Sequence, residues 1–113
     1  MISKMGPVSI DEAKAAVGPG WHPLIDLFYA VVDESVNVAQ VKEKFGGLRI
    51  YFDLSDDKQQ EGTRLGDIVG ELEALSRSVC EGCGKLGQTV TLKKVWLKTL
   101  CAECRPVYES RVR

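Results

Sequence analysis

The sequence has little that catalysis requires. It holds one histidine, His22, and contains no serine-nucleophile elbow, phosphate-binding loop or HExxH motif. Any mechanism with a histidine base must therefore use His22, which lies beside Trp21 and Pro23, where a capping or packing role is common. An enzyme would need His22, Glu43 and a cleft near Trp21 to converge. The sequence leaves this possible polar site open as one of three functional interpretations.

The chain also lacks long apolar runs. No segment approaches the ~18 apolar residues of a membrane span, and the first residues, MISKMGPVSIDEAK, contain no hydrophobic core of signal-peptide length. The 113 residues carry 44% hydrophobic side chains and a formal net charge of −1, which favours a folded globular protein over a disordered one. We therefore expect one cytoplasmic domain over residues 1–113, without membrane contact. Nothing in the sequence indicates the oligomeric state.

Charge is distributed unevenly, although its total is near zero. Seven acids and two bases lie between Asp53 and Glu73, whereas eight bases and three acids lie between Arg77 and Arg113. Four thiolates around a divalent ion would halve the basic character of the second segment without abolishing it. The basic segment is compatible with an acidic protein partner or with nucleic acid.

Helical signals occur twice in the first third of the chain. Ser9 and Glu12 have the capping-box spacing, which predicts a short helix that the Gly18-Pro19-Gly20 segment would end. In the following WHPLIDLFYAVVDES, Pro23 suits a first helical position. The predicted core-facing residues of this second helix are Leu24, Leu27, Phe28 and Val31.

A longer helix is predicted from Thr63 to about Val79, where apolar residues recur at helical spacing. Gly66 and Gly70 lie one turn apart on this helix. We expect them to allow close packing of another backbone within the domain. These elements together predict a helix–hairpin–helix core over about residues 9–79.

The hairpin of this core is predicted from VKEKFGGLRIYF, residues 41–52. A two-residue Gly46-Gly47 turn would place Lys44 opposite Arg49 and Phe45 opposite Leu48. Alternation then predicts one apolar face, formed by Val41, Phe45, Leu48, Ile50 and Phe52, and one cationic face, formed by Lys42, Lys44, Arg49 and Tyr51. Glu43 would lie on the apolar face unless a bulge or a longer turn directs it to solvent.

The strongest chemical signal is the cysteine pattern. Cys80, Cys83, Cys101 and Cys104 form two CxxC pairs separated by seventeen residues, a spacing typical of four-cysteine zinc sites. Four thiolates complete a tetrahedral shell, which favours a structural rather than a catalytic ion. We therefore predict a zinc-ribbon-like element over about residues 80–113, with TVTLKKVWL forming strands. A redox dithiol pair, disulfides and an iron–sulfur centre are the alternatives that the pattern leaves open.

Basic and aromatic residues accompany this element. Trp96, Tyr108 and Tyr51 could stack on nucleic-acid bases while nearby lysines contact phosphate. The same residues are typical of a half-buried strand, and Trp96 could simply pack over the metal site.

Four segments of the chain also occur together in a known group of proteins. GWHPLIDLF, QVKEKFGGLRIYF, CEGCG and WLKTLCAEC resemble segments of small proteins encoded in bacterial, phage and prophage genomes, and the similarity extends from Gly20 to Cys104. This resemblance implies a mobile-element setting, in which small proteins often bind and redirect a host macromolecule. It transfers no activity and no site residue to this chain.

The sequence thus predicts an α+β fold, in which a small antiparallel hairpin sheet packs against helices and a four-cysteine zinc-ribbon-like element follows. The expected function is that of a non-enzymatic zinc protein that binds a host or phage protein, as an interaction module or as an inhibitor of a host factor or defence system. The alternative is a nucleic-acid-binding zinc-ribbon protein or regulator. The candidate partner-binding residues are Lys42, Lys44, Arg49, Tyr51, Lys93, Lys94 and Lys98.

Overall fold

The computed structural model describes residues 7–33, 35–54, 61–94 and 96–111. Along the chain these residues form α1 (Ile10–Ala15), a 3-10 helix (Pro19–Trp21), α2 (His22–Val31), β1 (Val36–Lys44), β2 (Gly47–Leu54), α3 (Gly62–Ser76), β3 (Gln88–Leu92), β4 (Trp96–Leu100) and α4 (Arg105–Glu109). β1 pairs with β2 and β3 with β4, each pair forming a two-stranded antiparallel sheet. The predicted α+β class is confirmed. In the described part of the chain, no helix has both the length and the apolar character to cross a membrane.

The first helix begins as its sequence predicts. The amide of Glu12 donates to Ser9 Oγ at 3.1 Å, and the amide of Ser9 donates to Glu12 Oε1 at 2.8 Å. This reciprocal pair is the capping box, which satisfies two amides that a helix start leaves without partners. The segment that follows α1 does not simply end the helix, because Pro19 and Gly20 start the 3-10 helix that leads into α2.

The main core lies between α2, α3 and the inner face of the β1–β2 hairpin. α2 contributes Leu24, Ile25 and Phe28 to this core. The predicted face of α2 was wrong at two positions, because Leu27 and Val31 are 56% and 54% exposed. The buried hydrophobic residues of the β1–β2 sheet and of α3 are Val38, Val41, Leu48, Ile50, Leu65, Val69 and Leu72.

The hairpin turn differs from its prediction by one residue. Phe45 and Gly46 form the turn, with φ angles of 55° and 83°, and Lys44 pairs with Gly47. The like-charge pair across the strands is therefore Lys42 with Arg49. Phe45 is 62% exposed at the turn instead of lying on the apolar face. The other predicted face assignments stand, since Val41, Leu48 and Ile50 are buried.

α3 covers the open edge of β2. The amide of Leu48 donates to Ser76 Oγ at 2.9 Å, and the amide of Ile50 donates to Glu73 Oε2 at 3.0 Å. Side chains of the helix thus satisfy strand amides that would otherwise invite pairing with another chain. The prediction for Gly66 and Gly70 was wrong, because a Cβ at either position would meet no heavy atom of the described residues within 4 Å.

The C-terminal element packs directly against the helix–hairpin core. Trp21 Nε1 donates to the carbonyl of Val79 at 2.8 Å, and the amide of Gly20 donates to the carbonyl of Glu81 at 2.7 Å. The fit at Gly20 requires glycine, because an added Cβ would lie 1.9 Å from the carbonyl oxygen of Cys80. Elsewhere, Thr99 Oγ1 donates to the carbonyl of Gly46 at 2.6 Å. The hairpin turn and the 3-10 helix therefore both hold the C-terminal element in place.

Candidate metal centre and cationic surface

The four cysteines converge at one point of the C-terminal element. Their Sγ atoms all lie within 4.8 Å of one another, and those of Cys83 and Cys101 are 3.6 Å apart. A tetrahedral ion with metal–sulfur bonds of about 2.3 Å requires sulfur–sulfur distances of about 3.8 Å, whereas a disulfide requires about 2.05 Å. All four are free thiols in the described chain. This cluster has the donor atoms and the spacing to hold a metal ion.

Local backbone geometry places the first pair of sulfurs. The amide of Cys80 donates to the carbonyl of Lys85 at 2.7 Å, and the amide of Gly84 donates to the carbonyl of Cys80 at 2.9 Å. Gly84 adopts a φ of 88°, which a residue with a side chain rarely accepts. The chain therefore turns back tightly between Cys80 and Lys85, and both sulfurs of this CxxC pair face the same point.

The second pair leads into α4. The amide of Arg105 donates to the carbonyl of Cys101 at 3.0 Å, and the amide of Tyr108 donates to the carbonyl of Cys104 at 3.1 Å. Cys104 is the N-cap residue of α4. The start of this short helix thus fixes the orientation of the second CxxC pair.

The surroundings favour the thiolate form at Cys101 more than at Cys104. A backbone hydrogen bond from Cys104, assisted by one from Glu103, lowers the pKa of Cys101 to about 7. Burial raises the pKa of Cys104 to about 12, and the neighbouring sulfurs add to this increase. Amides that donate to sulfur stabilise a thiolate, and thiolates are the form that binds a metal ion.

A small apolar cluster surrounds the cysteines. Cys80 is fully buried with Leu92 and Leu100, and Trp96 and Tyr108 pack against this cluster. Trp96 therefore packs beside the candidate metal site.

A buried ion cluster, formed by Glu43, Glu81 and Lys98, joins the two parts of the molecule. Lys98 Nζ lies 2.7 Å from Glu81 Oε1 and 3.5 Å from Glu43 Oε1. The side chains of Lys98 and Glu81 are only 7% and 5% exposed. The lysine charge is thus compensated inside the protein rather than by solvent.

The second oxygen of each carboxylate accepts from a backbone amide, in a distant segment for Glu81 and in the adjacent hairpin turn for Glu43. Glu81 Oε2 accepts from the amide of Gly18 at 3.1 Å, and Glu43 Oε2 accepts from the amide of Gly46 at 2.8 Å. Glu43 is therefore neither solvent-directed nor alone on the apolar face, which answers the question that the sequence left open. Lys98 also lies 4.9 Å from the ring centre of Trp96, a cation–π distance.

The buried position of Lys98 changes the predicted partner surface. Because the Lys98 side chain is only 7% exposed and pairs with two carboxylates, we leave it out of the partner surface that we propose. Lys93 and Lys94 are exposed at the β3–β4 turn, with φ angles of 53° and 67°. They lie on a different hairpin from Lys42 and Lys44.

The outer side of the β1–β2 hairpin is basic, as predicted, and includes one residue that the sequence did not reveal. Gly47 lies on the same side of β2 as Arg49, and a Cβ on Gly47 would come within 3.0–3.2 Å of the guanidinium of Arg77. Arg77, from the end of α3, therefore joins the outer surface. The sequence carries no local signal for this contact, because its pattern predicts Gly47 in the hairpin turn and not in the strand. We call this surface the cationic face, formed by Lys42, Lys44, Arg49 and Arg77.

Two neighbours modify the charge of the cationic face. Arg49 Nη1 lies 3.7 Å from Glu73 Oε1, so part of its charge is compensated. Lys42 Nζ lies 5.6 Å from the ring centre of Tyr51, which is exposed. Neither Lys44 nor Arg77 has an ion-pair partner among the described residues.

The residues of the possible polar site have separate partners. His22 Nε2 lies 2.8 Å from the carbonyl of Lys14, to which it donates, and Trp21 is fully buried. Glu43 pairs instead with Lys98, at 3.5 Å. Within the described chain, no hydrogen bond or ion pair joins His22 to Glu43. The geometry therefore gives no support to a shared site.

Comparison of the chain with protein-family models, with curated proteins and with solved structures found no match.

Proposed function

We propose that the protein is a non-enzymatic zinc-binding interaction module, and that its cationic face binds an acidic surface of a host or phage protein. The observation that carries this proposal is the position of Arg77, whose guanidinium lies over Gly47 beside the lysines of β1. A basic surface assembled from β1, β2 and the end of α3, with Tyr51 at its side, has the residue types that anchor protein interfaces.

Zinc is the ion that best suits the cysteine cluster. Four sulfur donors at the observed spacing match a closed tetrahedral shell, which leaves no position for water and favours structural zinc over catalytic zinc. Iron prefers the same donors in some proteins, so the identity of the metal is part of the proposal. In this account, the ion stabilises the C-terminal element and does not react.

A protein partner is favoured over nucleic acid by the size and composition of the basic surface. Lys98 is buried, Arg49 is partly compensated by Glu73, and the chain as a whole has a net charge of −1. Few phosphates could therefore be contacted at once, and phosphate contacts provide most of the affinity for nucleic acid. An inhibitory role toward a host factor is the form of this function that the resemblance to phage-associated proteins suggests.

The test compares two arginines on α3. Arg77 lies at the end that joins the cationic face, whereas Arg64 lies exposed near the other end. Arg77→Glu and Arg64→Glu change the net charge equally. We expect Arg77→Glu to lower the amount of a specific co-purifying protein roughly tenfold, equivalent to about 1.4 kcal/mol, and Arg64→Glu to leave it unchanged. Quantitative mass spectrometry of the purified complexes provides the measurement.

Two results would contradict the proposal. Equal retention of the partner by both variants would show that the cationic face is not the binding surface. Retention of nucleic acid that weakens steeply with salt, and that Arg77→Glu abolishes, would instead assign this face to phosphate recognition.

A further inference from the structure

The two edges of the β3–β4 sheet are not equivalent. The carbonyl of Thr99 in β4 accepts from the amide of Glu81 at 2.9 Å, so it points away from β3. Residues along an antiparallel pair alternate between bonding the partner strand and pointing outward, and Thr99 pairs with Thr89. Thr89 and, two positions on, Thr91 therefore direct their N–H and C=O groups to the outer edge of β3. The 2.8 Å between Thr89 Oγ1 and Thr99 Oγ1 agrees, because side chains approach closely at such pairs.

This outer edge of β3 is open. Thr89 and Thr91 are both exposed, and neither backbone finds a partner beyond the β3–β4 ladder in the described ranges. The strand QTVTL contains no proline and no charged residue, which are the usual means of blocking an edge. The edge of β2, in contrast, is covered by α3. An open and uncharged edge can accept a further strand through main-chain hydrogen bonds.

An apolar cleft adjoins the same strand. It has a volume of about 380 Å³ and lies between the sheet and α4, with Leu86, Val90, Leu100 and Pro106 among its walls. Leu86 is 84% exposed, more than any other large hydrophobic residue of the described chain. Val90 lies between Thr89 and Thr91, so a strand added at this edge would point alternate side chains toward the cleft.

The charges near the β3 edge are positive where they are not compensated. Arg105 and Glu109, at the rim of the cleft, lie 3.4 Å apart and neutralise each other. Lys93 and Lys94 follow β3 directly and are exposed, and they form no ion pair with other described residues. A strand bound at this edge would bind more tightly if it carried acidic residues at the end next to the β3–β4 turn, where Lys93 and Lys94 lie.

We infer that the β3 edge and the adjoining cleft bind an extended segment of a partner protein, which carries an apolar side chain at one end and acidic residues at the other. The backbone of this segment bonds to Thr89 and Thr91, its apolar side chain enters the cleft, and its acids lie near Lys93 and Lys94. The inference rests on the proposed function only in treating the protein as an interaction module. It uses a surface other than the cationic face, so the two can fail separately.

The experiment selects a displayed library of random short peptides on immobilised zinc-loaded protein. The enriched peptides are then synthesised, and their affinities for the parent protein and for four variants are measured by fluorescence polarisation. Thr91→Pro removes an N–H that points outward, so the β3–β4 ladder keeps its own hydrogen bonds. Thr91→Val is the matched control because it keeps that N–H and the side-chain shape. Leu86→Ser removes a cleft wall at an exposed position, and Arg77→Glu tests the cationic face.

We expect enriched peptides that carry an apolar residue at one end and acidic residues at the other. Thr91→Pro and Leu86→Ser should each weaken their binding by roughly tenfold or more, while Thr91→Val and Arg77→Glu leave it nearly unchanged. Bound zinc and the amide spectrum of the β3–β4 hairpin report whether Thr91→Pro is folded. If Thr91→Pro is unfolded, the effect of Leu86→Ser on peptide binding alone tests the inference.

Four outcomes would overturn the inference. The first is that selection enriches no peptide. The second is that the peptides bind Leu86→Ser and folded Thr91→Pro as tightly as the parent protein. A concentration-dependent dimer in sedimentation, dissolved by Thr91→Pro, would assign the edge to a second copy of the chain. Peptide binding that is lost only in Arg77→Glu would show that the peptide binds the cationic face. That result would overturn the inference and leave the proposed function intact.

Discussion

Lys98 shows most clearly how one residue can hold distant parts of this protein together. Its ammonium group lies between the carboxylates of Glu81, in the first CxxC turn, and Glu43, near the hairpin turn. Removing one partner of a buried ion pair leaves uncompensated charge in a medium that solvates it poorly. The position of Lys98 is therefore structural, although its sequence neighbourhood resembles a basic binding strand.

Lys98→Met tests this role, because methionine keeps the length of the side chain and removes its charge. We expect the free energy of unfolding to fall by about 3–5 kcal/mol, since the buried carboxylate of Glu81 and the partly buried carboxylate of Glu43 lose their cation. Urea unfolding of metal-loaded protein measures the change. Lys85→Met is the control, because Lys85 pairs with Glu103 at 2.9 Å on the exposed surface, where ion pairs contribute little. Similar stabilities of the two variants would contradict the structural role.

The sequence could predict the metal cluster but not the ion cluster, for a physical reason. Each CxxC pair is a local motif whose spacing itself brings two sulfurs together. Glu43, Glu81 and Lys98 carry no such local signal, because they meet only after the hairpin and the C-terminal element have packed. Arg77 was missed for the same reason, since its guanidinium reaches the cationic face only through the packing of α3 against β2.

At the scale of elements, α3 is a helix whose sequence does not optimise stability. Gly66 and Gly70 lie in its interior, and a Cβ at either position would meet no described heavy atom within 4 Å. Glycine in a helix costs conformational entropy that alanine does not. The two glycines are therefore not explained by packing within the described chain.

Gly66→Ala and Gly70→Ala should each raise the free energy of unfolding, by about 0.5–1 kcal/mol. Gly20→Ala, the same change at a crowded position, should destabilise the protein, because its Cβ would lie 1.9 Å from the carbonyl oxygen of Cys80. Thermal unfolding of the three variants under one set of conditions gives the comparison. Destabilisation by both α3 substitutions would mean that this helix face is covered by something other than the described residues.

The β1–β2 hairpin shows which features of a turn local sequence rules can predict. The Gly-Gly pair correctly indicated a two-residue hairpin turn, but the turn is formed by Phe45 and Gly46. Gly47 stays in the strand, where the absence of a side chain makes room for the guanidinium of Arg77. A rule based on local conformational preference cannot anticipate that tertiary contact. The predicted core face of α2 was likewise wrong at Leu27 and Val31. Hydrophobic periodicity indicates which side of a helix faces the core, but not how many residues on that side are buried.

At the scale of the molecule, the C-terminal element and the helix–hairpin core depend on each other. Gly20 donates to Glu81, Thr99 donates to Gly46, and the buried ion cluster links both parts. Metal binding energy is also folding energy in small cysteine-rich elements. Loss of the ion should therefore weaken the contacts between the C-terminal element and the helix–hairpin core, which we call the junction.

Chelation should therefore affect some amides far from the cysteines. We expect the Gly20 and Glu81 amides to exchange faster after metal removal, because both hydrogen bonds depend on the first CxxC turn. The Ile50 amide, bonded to Glu73 within the main core, should keep more of its protection. Hydrogen exchange followed by NMR, with and without chelator, measures this difference. Identical protection in both samples would show that the ion does not support the junction.

The most direct test of the proposed zinc-binding module is native mass spectrometry of the protein purified from cells without added metal. The account predicts one zinc ion per chain, with the four cysteines as thiolates, and a retained acidic partner protein. A zinc-free chain whose mass is reduced by two disulfides would contradict it and return the cysteines to redox chemistry.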